Sequence, residues 1–145
     1  MSEKKFGLRI KWLGCACFEM DFGGATVVSD PWITANAKTE CTWENVEKCD
    51  YITVHVPSTK DTKGMFNARS FSLMKDGVRI VNLSRADLVN IADLKAAIEE
   101  GKVASYVTDF PTNDTINCDK IVCIPHLGAS TPESEENCAS MAAEE

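Results

Sequence analysis

From residue 50 to the end of the chain, segments typical of buried strands alternate with segments typical of helices. The clearest helix follows Asn90, an expected N-cap, and stops at Gly101, and a last helix begins at Pro132. Because parallel strands joined by helices need right-handed crossovers, this alternation predicts an α/β fold with a parallel sheet and flanking helices. The strand-like runs are residues 50–56, 78–83, 103–108 and 121–124.

The first 49 residues follow a different pattern. The stretch between the strand-like runs 8–13 and 25–29 is too short to hold a crossover helix with its loops. The alternation in residues 18–21, followed by Gly23 and Gly24, predicts a β-hairpin instead. We therefore expect a β-hairpin segment over residues 1–49 and an α/β segment over residues 50–145, packed as one compact unit.

Composition narrows the classes of function. A net charge of −7 argues against a nucleic-acid partner, and no apolar run is long enough to cross a membrane. Seven cysteines without a CxxC pair are typical of a protein from a reducing compartment, so we expect a cytoplasmic location. With two histidines in the whole chain, a dinuclear metal site is excluded by counting, and no metal is predicted.

Two polar residues follow predicted strands directly. Arg85 comes after the run 78–83, and His126 comes after the run 121–124. Ligands of open parallel sheets bind outside the carboxyl ends of the strands, where a guanidinium can hold a carboxylate and an imidazole can move a proton. The alternatives are a surface arginine paired with Asp87 or Asp93, and a histidine that only closes a strand end.

The motifs around these residues resemble a known family. The matching stretches resemble the later part of the NAD-binding domain of D-3-phosphoglycerate dehydrogenases, within the D-2-hydroxyacid dehydrogenase family, over residues 49–143. The resemblance implies a partial Rossmann-like sheet, NAD as cofactor and a small 2-hydroxy acid such as 3-phosphoglycerate as substrate. The stretches are residues 49–59, 81–85 and 124–131.

The same resemblance implies roles for individual residues. Arg85 matches the arginine that holds the substrate carboxylate, and His126 matches the histidine that exchanges a proton with the substrate hydroxyl. Asp109 matches an acidic residue near the nicotinamide amide, while His55 and Pro57 match the loop that lines the adenosine side. These assignments predict a catalytic pair and a set of cofactor-binding residues.

Several features depart from the family pattern. No GxGxxG follows the first strand, where only Gly14 is kept, so the close backbone approach to a pyrophosphate is in doubt. The carboxylate that orients the histidine is expected just after Pro111, where Asp114 is the one acidic residue, and Ala86 replaces a glycine after Arg85. We therefore predict weak or lost NAD binding and no turnover by the isolated chain; the alternative is a non-catalytic folded module.

Asp30 allows two interpretations. It stands directly after the strand-like run 25–29 and before Pro31, which is a common position for a turn residue. It also takes the place of the aspartate that, in dehydrogenases, ends the second strand and binds the adenosine ribose hydroxyls. Asp30 is thus a candidate cofactor-binding residue.

The front of the chain has a second resemblance. Residues 10–34 and 43–52 resemble the opening hairpin, helix and strand of metallo-β-lactamase-fold hydrolases of the ascorbate-6-phosphate lactonase type. In that family the strand runs into an HxHxDH metal motif, whereas here it runs into residues 53–58 with a single histidine, His55. A chimera of two families is the simplest account. The acidic surface and shortened sheet are also compatible with a homodimer.

Overall fold

The computed structural model describes residues 7–33, 36–128 and 130–144, which contain one seven-stranded sheet and flanking helices. The strands lie side by side in the order in which they occur along the chain. They are β1 (Arg9–Trp12), β2 (Phe18–Asp21), β3 (Thr26–Ser29), β4 (Tyr51–Val54), β5 (Val78–Asn82), β6 (Val103–Thr108) and β7 (Ile121–Cys123). The helices are α1 (Trp43–Val46), α2 (Ala68–Ser72), α3 (Ile91–Glu99) and α4 (Pro132–Glu144), with a 3-10 turn at Ala86–Leu88.

Strand direction divides the sheet in two. β3 to β7 run parallel, whereas β1, β2 and β3 are joined by antiparallel pairing. The predicted α/β fold with a Rossmann-like parallel sheet and a preceding hairpin is confirmed. The turn around Gly23 closes through the Phe22 N–H, which donates to the Ala25 carbonyl. A second tight turn, residues 13–17, joins β1 to β2 and was not predicted.

Local sequence chemistry explains where the helices begin. The Asn90 side chain accepts hydrogen bonds from the N–H groups of Ala92 and Asp93, which satisfies two free donors at the start of α3. Asn67 caps α2 in the same way. At the start of α4, the Thr131 hydroxyl accepts a hydrogen bond from the Ser134 N–H.

The hydrophobic core lies between the sheet and helices α1 to α3. Ile52, Ile80 and Tyr106 project from β4, β5 and β6 toward the helices and are almost completely buried. Phe71 from α2 and Leu94 from α3 pack against them. Alternate residues on each strand point away from these helices. This core therefore buries only one face of the sheet.

The hairpin segment and the α/β segment share one sheet. β3 pairs directly with β4, and the Asp50 carboxylate accepts from the Thr26 N–H while its other oxygen pairs with Lys75. The boundary at residue 49 stays a prediction. None of the helices in the described ranges combines the length and the apolar character that crossing a membrane requires.

Candidate active site

Three polar side chains meet at the carboxyl ends of neighbouring parallel strands. Arg85 follows β5, Asp109 follows β6 and His126 follows β7, with β6 in the middle of the three. This is the edge at which open α/β sheets bind their ligands. The two predicted catalytic residues are therefore delivered to one place, with a carboxylate between the strands that carry them.

His126 and Asp109 form a close pair. The Nδ1 atom of His126 lies 2.6 Å from Oδ2 of Asp109, and the two side chains are 51% and 11% exposed. An ionised carboxylate can only accept, so Nδ1 donates its hydrogen and this fixes the orientation of the ring. Nε2 is then the nitrogen left to exchange a proton with a ligand.

Phe110 links Arg85 to this pair. Its ring centroid lies 4.5 Å from that of His126 and 5.9 Å from the guanidinium carbon of Arg85. Both ionisable side chains therefore flank the same aromatic ring, which sequence patterns had not singled out. The sequence signal that could have indicated Phe110 is its position directly after Asp109, a candidate site residue.

Arg85 has no carboxylate partner among the described ion pairs, which differs from the surface-pairing alternative. Asp87 accepts instead from the Ser58 hydroxyl, and Asp93 accepts from the Ala68 N–H. One arginine nitrogen donates to the Ser84 carbonyl at 2.7 Å. The rest of the guanidinium fork is available for a ligand carboxylate.

The buried side chain of Asn82 fixes the loop that carries Arg85, and the sequence patterns did not indicate this residue. Its amide nitrogen donates to the Arg85 carbonyl at 2.9 Å and to the Tyr106 hydroxyl at 3.1 Å, and its oxygen accepts from Ser84. Burial raises the pKa of Tyr106, so this hydroxyl stays protonated. Ala86 begins the 3-10 turn without a positive φ, which explains why glycine is not needed there.

The carboxylate expected after Pro111 is found earlier in the chain. Asp114 is 79% exposed and its nearest cation is Lys95, at 3.8 Å. The group that contacts His126 is Asp109, which the family resemblance had assigned to the nicotinamide amide. Which carboxylate contacts His126 therefore depends on the path of the loop between β6 and β7.

The other predicted cofactor residues lie at a second place on the same edge. Asp30, His55 and Pro57 line a cavity of about 200 Å³ near the ends of β3 and β4, together with Gly14 and Trp32. Asp30 is buried, and its carboxylate accepts from the His55 N–H. Burial raises the pKa of Asp30, and the His55 N–H opposes that shift in part. Asp109 does not line this cavity.

The space beside Gly14 is filled by the chain itself. A Cβ at Gly14 would lie 2.1 Å from the Lys38 carbonyl oxygen, and the φ angle of +95° is unfavourable for other residues. In the described part of the chain, β3 is followed by Asp30 and Pro31, and the next helix is the single turn α1. These residues do not form the glycine loop and helix start that hold a pyrophosphate.

The place where Arg85, Asp109 and His126 meet suits the nicotinamide end of the cofactor. The second oxygen of Asp109, Oδ1, is buried and has no hydrogen-bond partner among the described residues. A buried acceptor without a partner is costly unless a ligand supplies the donor. An amide N–H is such a donor. Across residues 7–33, 36–128 and 130–144, no three His, Cys, Asp or Glu side chains converge on a common metal position.

Fold and site together define a domain of the nicotinamide-dependent dehydrogenase class. Residues 15–128 match the profile of the D-isomer specific 2-hydroxyacid dehydrogenase, NAD binding domain. The chain belongs to this family, as the resemblance predicted. The matched region begins inside the segment that also resembles metallo-hydrolases, and that second resemblance stays a prediction.

Individual relatives agree with this assignment. The chain is 36% identical to D-3-phosphoglycerate dehydrogenase of Bacillus subtilis over 136 residues, 86% of this chain and 26% of the relative. It is 42% identical to the D-3-phosphoglycerate dehydrogenase of Archaeoglobus fulgidus over 103 residues, 66% of this chain and 20% of the relative. The chain thus spans about a quarter or less of these two proteins.

Solved structures show the same relationship. The holo form of Rhodotorula graminis D-mandelate dehydrogenase matches with a TM-score of 0.62 and 26% identity, covering 68% of this chain and 30% of that one. D-lactate dehydrogenase from Aquifex aeolicus, complexed with NAD and lactic acid, matches with a TM-score of 0.61 and 27% identity, covering 70% and 37%. NAD is therefore the cofactor of this family.

Proposed function

We propose that the β5–β7 edge of this chain is the substrate-binding and proton-transfer part of a D-2-hydroxyacid dehydrogenase, acting on a small 2-hydroxy acid such as 3-phosphoglycerate. The observation that carries the proposal is the 2.6 Å contact between His126 and Asp109, formed beside Arg85 at the ends of three neighbouring parallel strands. The names of the two D-3-phosphoglycerate dehydrogenase relatives support the substrate class.

Each side chain has a distinct task. Arg85 binds the substrate carboxylate through its two-pronged fork, because its guanidinium lacks a carboxylate partner among the described ion pairs. Nε2 of His126 exchanges a proton with the substrate hydroxyl, and Asp109 holds Nδ1–H so that Nε2 points outward. NAD, when bound, accepts or supplies the hydride.

Cofactor binding is divided between two places. Asp109 Oδ1 would accept from the nicotinamide amide, and Asp30, His55 and Pro57 would line the adenosine side. The filled space at Gly14 removes the pyrophosphate cradle between them. For this reason the isolated chain binds NAD weakly and has no turnover, and it needs a substrate domain from elsewhere to act.

A non-catalytic folded module is the second candidate function, and the Lys38 carbonyl beside Gly14 is the observation that favours it. In that case Arg85 and His126 are relics. Supplying the substrate domain of a curated relative in trans separates the two candidates: NADH oxidation with 3-phosphohydroxypyruvate that needs Arg85 supports the enzyme, and its complete absence supports the module.

Substrate binding can be tested without turnover. Because the chain has two histidines, their ring signals in an NMR titration with 3-phosphoglycerate report on two separate sites. We expect the His126 signals to move and the His55 signals to stay. The movement is lost in Arg85→Ala and kept in Arg79→Ala, a matched arginine that also lies over an aromatic ring. Movement that survives Arg85→Ala contradicts the proposal.

Two further proposals concern origin and location. The antiparallel pairing of β1 to β3, in place of a strand, glycine loop and helix, supports a chimeric origin of the hairpin segment. Seven free thiols support a reducing, cytoplasmic compartment. Thiol titration of protein purified from its native cells without reductant tests the location, since fewer than seven reactive thiols in the denatured chain contradict it.

A further inference from the structure

One face of the sheet carries no helix of the described ranges; we call it the open face. It consists of the strand residues that alternate with the core residues and point away from α1, α2 and α3. On β1 these are Ile10 and Trp12, which are 60% and 62% exposed, and on β7 the residue is Val122, 51% exposed. The strand register places them on one continuous surface.

Such a surface is unusual for this kind of sheet. Parallel strands are normally buried on both faces, and contiguous apolar patches above a few hundred Å² mark interaction sites. The exposed parts of the five most exposed apolar side chains here amount to roughly 500 Å², since a whole aromatic side chain offers ~150–250 Å². These five are Ile10, Trp12, Phe18, Tyr51 and Val122. Half-exposed valines and Met20 add to this. The total approaches the ~800 Å² per partner of a standard interface.

The charge of the open face also differs from that of the chain. The net charge is −7, but the strand residues on this face include no acidic side chain. Their one charged group is Arg79, whose guanidinium carbon lies 5.4 Å from the centroid of the Tyr51 ring. Both residues stand at the amino-terminal rim of their strands, where the guanidinium can keep contact with water.

Side-chain size varies across the open face. On β1 and β2 the bulky residues are Ile10, Trp12 and Phe18. On β5, β6 and β7 the small residues Val81, Val107 and Val122 prevail, and Arg79 at the amino-terminal rim is the exception. β4 is the middle strand of the seven. A two-fold axis that runs along β4, between two stacked sheets, places the bulky half of one copy over the small half of the other.

We propose that a second copy of this chain covers the open face, in a closed two-fold dimer with sheet packed on sheet. The two open faces lie about 10 Å apart with their strands aligned within about 30°, as in other stacked sheets. The bulky half of each copy packs on the small half of the other copy. The two contacts are therefore identical, as a closed two-fold interface requires.

Two other modes of covering are less well supported. Pairing along the sheet edge is opposed by Arg9 and Lys11 on β1 and by Pro125 after β7, which are features that protect edges. The helix α4 does not cover the face, because nearly all of its described residues are exposed, Met141 among them at 68%. Sheet-on-sheet contact therefore remains the arrangement that buries the open face.

Sedimentation equilibrium of the purified chain at tens of micromolar tests the proposal, with Ile10→Lys and Val122→Lys as interface variants. Both residues are exposed in the single chain, so the folded protomer tolerates lysine there, and far-UV circular dichroism checks this. Met141→Lys is the matched control outside the face. We expect a dimer for the wild type and the control, and a dissociation constant raised at least about tenfold in each interface variant.

Any other outcome overturns the proposal. A monomeric wild type means that a different partner or none covers the face, and open-ended assembly means that the contact is not a closed two-fold. Dimers that survive both lysine substitutions exclude the open face as the interface. A monomer in the Met141→Lys control assigns the contact to α4 instead. None of these results depends on NAD, so they leave the proposed chemistry untouched.

Discussion

The two ends of the sheet's carboxyl edge are built for different purposes. At the β5–β7 end, Arg85 and His126 are exposed, and one buried oxygen of Asp109 has no partner among the residues that the structure describes. At the β1–β3 end, the Asp30 carboxylate is bound by the chain's own backbone and the space at Gly14 is filled by Lys38. The first end is open to a ligand, and the second end is used by the fold itself.

The two ends differ because their strands run in different directions. The β5–β7 end depends on parallel strands, and residues 81–85 and 124–131 at this end resemble the family pattern. The β1–β3 end is antiparallel, so β2 and its turns occupy the region in which a glycine loop and helix would hold a pyrophosphate. In the proposed function, the substrate-binding residues are thus kept at one end while the pyrophosphate cradle is lost at the other.

The largest expected effect concerns Gly14. Gly14→Ala forces a Cβ to within 2.1 Å of the Lys38 oxygen at a φ of +95°, and we expect a loss of about 3 kcal/mol or more in the free energy of unfolding. Gly23→Ala is the control, since its φ is +76° but nothing lies within 4 Å; about 1 kcal/mol is expected. Urea unfolding measures both. Equal losses would show that the 13–17 turn is open.

A large effect on one histidine is expected from Asp109→Ala. Removing the acceptor of Nδ1–H lets the His126 ring populate both neutral tautomers, and its nitrogen NMR signals at about pH 8 move accordingly. The His55 signals stay, because its Nε2 faces Thr53. Asp119→Ala, an exposed aspartate of the same region, serves as the control. His126 signals that do not respond to Asp109→Ala contradict the pairing.

A smaller effect is expected at Asp30. Burial raises the pKa of this carboxyl above its unfolded value, so the native state binds more protons between the two pKa values and loses stability as the pH rises through that interval. Asp30→Asn keeps the acceptor for His55 without the charge, and asparagine tolerates the φ of 45°. We expect a melting temperature higher by a few degrees at pH 7.

The control for that prediction is the pH dependence itself. The advantage of Asp30→Asn over the wild type is expected to vanish in acid, where the wild-type carboxyl is protonated in both states. A difference that is constant with pH, or larger in acid, would exclude a buried charge as its cause.

The smallest effect on stability is expected at Arg85. Its guanidinium contacts the Ser84 carbonyl and lies over Phe110, without a carboxylate in the described ion pairs. Arg85→Ala therefore changes the free energy of unfolding by less than about 0.5 kcal/mol, as is usual for exposed positions. Thermal unfolding measures this. A loss above about 2 kcal/mol would assign Arg85 to the fold and not to the ligand.

Sequence patterns predict the architecture where the pattern is local. Residues 103–108 were predicted as a strand and are β6, and the Asn90 cap begins α3 as expected. Arg85 and His126 were placed correctly at strand ends because position after a strand is a local property. Their position at one edge also follows from the parallel direction of β5 and β7.

Contacts that depend on loop paths were beyond the sequence. The pairing of Asp109 with His126 requires the loop between β6 and β7 to return over the sheet, and spacing alone pointed to a carboxylate after Pro111. The contact of Gly14 with Lys38 joins residues far apart in the chain. The open face depends on where the helices cross, because the near-continuous apolar runs of parallel strands predict that both faces are buried.

Calorimetric titration of the purified chain with NAD tests whether the β1–β3 end has lost its pyrophosphate site, since binding does not need a substrate domain. We predict a dissociation constant of about 1 mM or weaker, because the filled space at Gly14 leaves no cradle for the pyrophosphate between the two places that would contact the cofactor. Saturable binding at micromolar concentrations, retained in Asp109→Ala, would contradict it by showing that the β1–β3 end holds the dinucleotide.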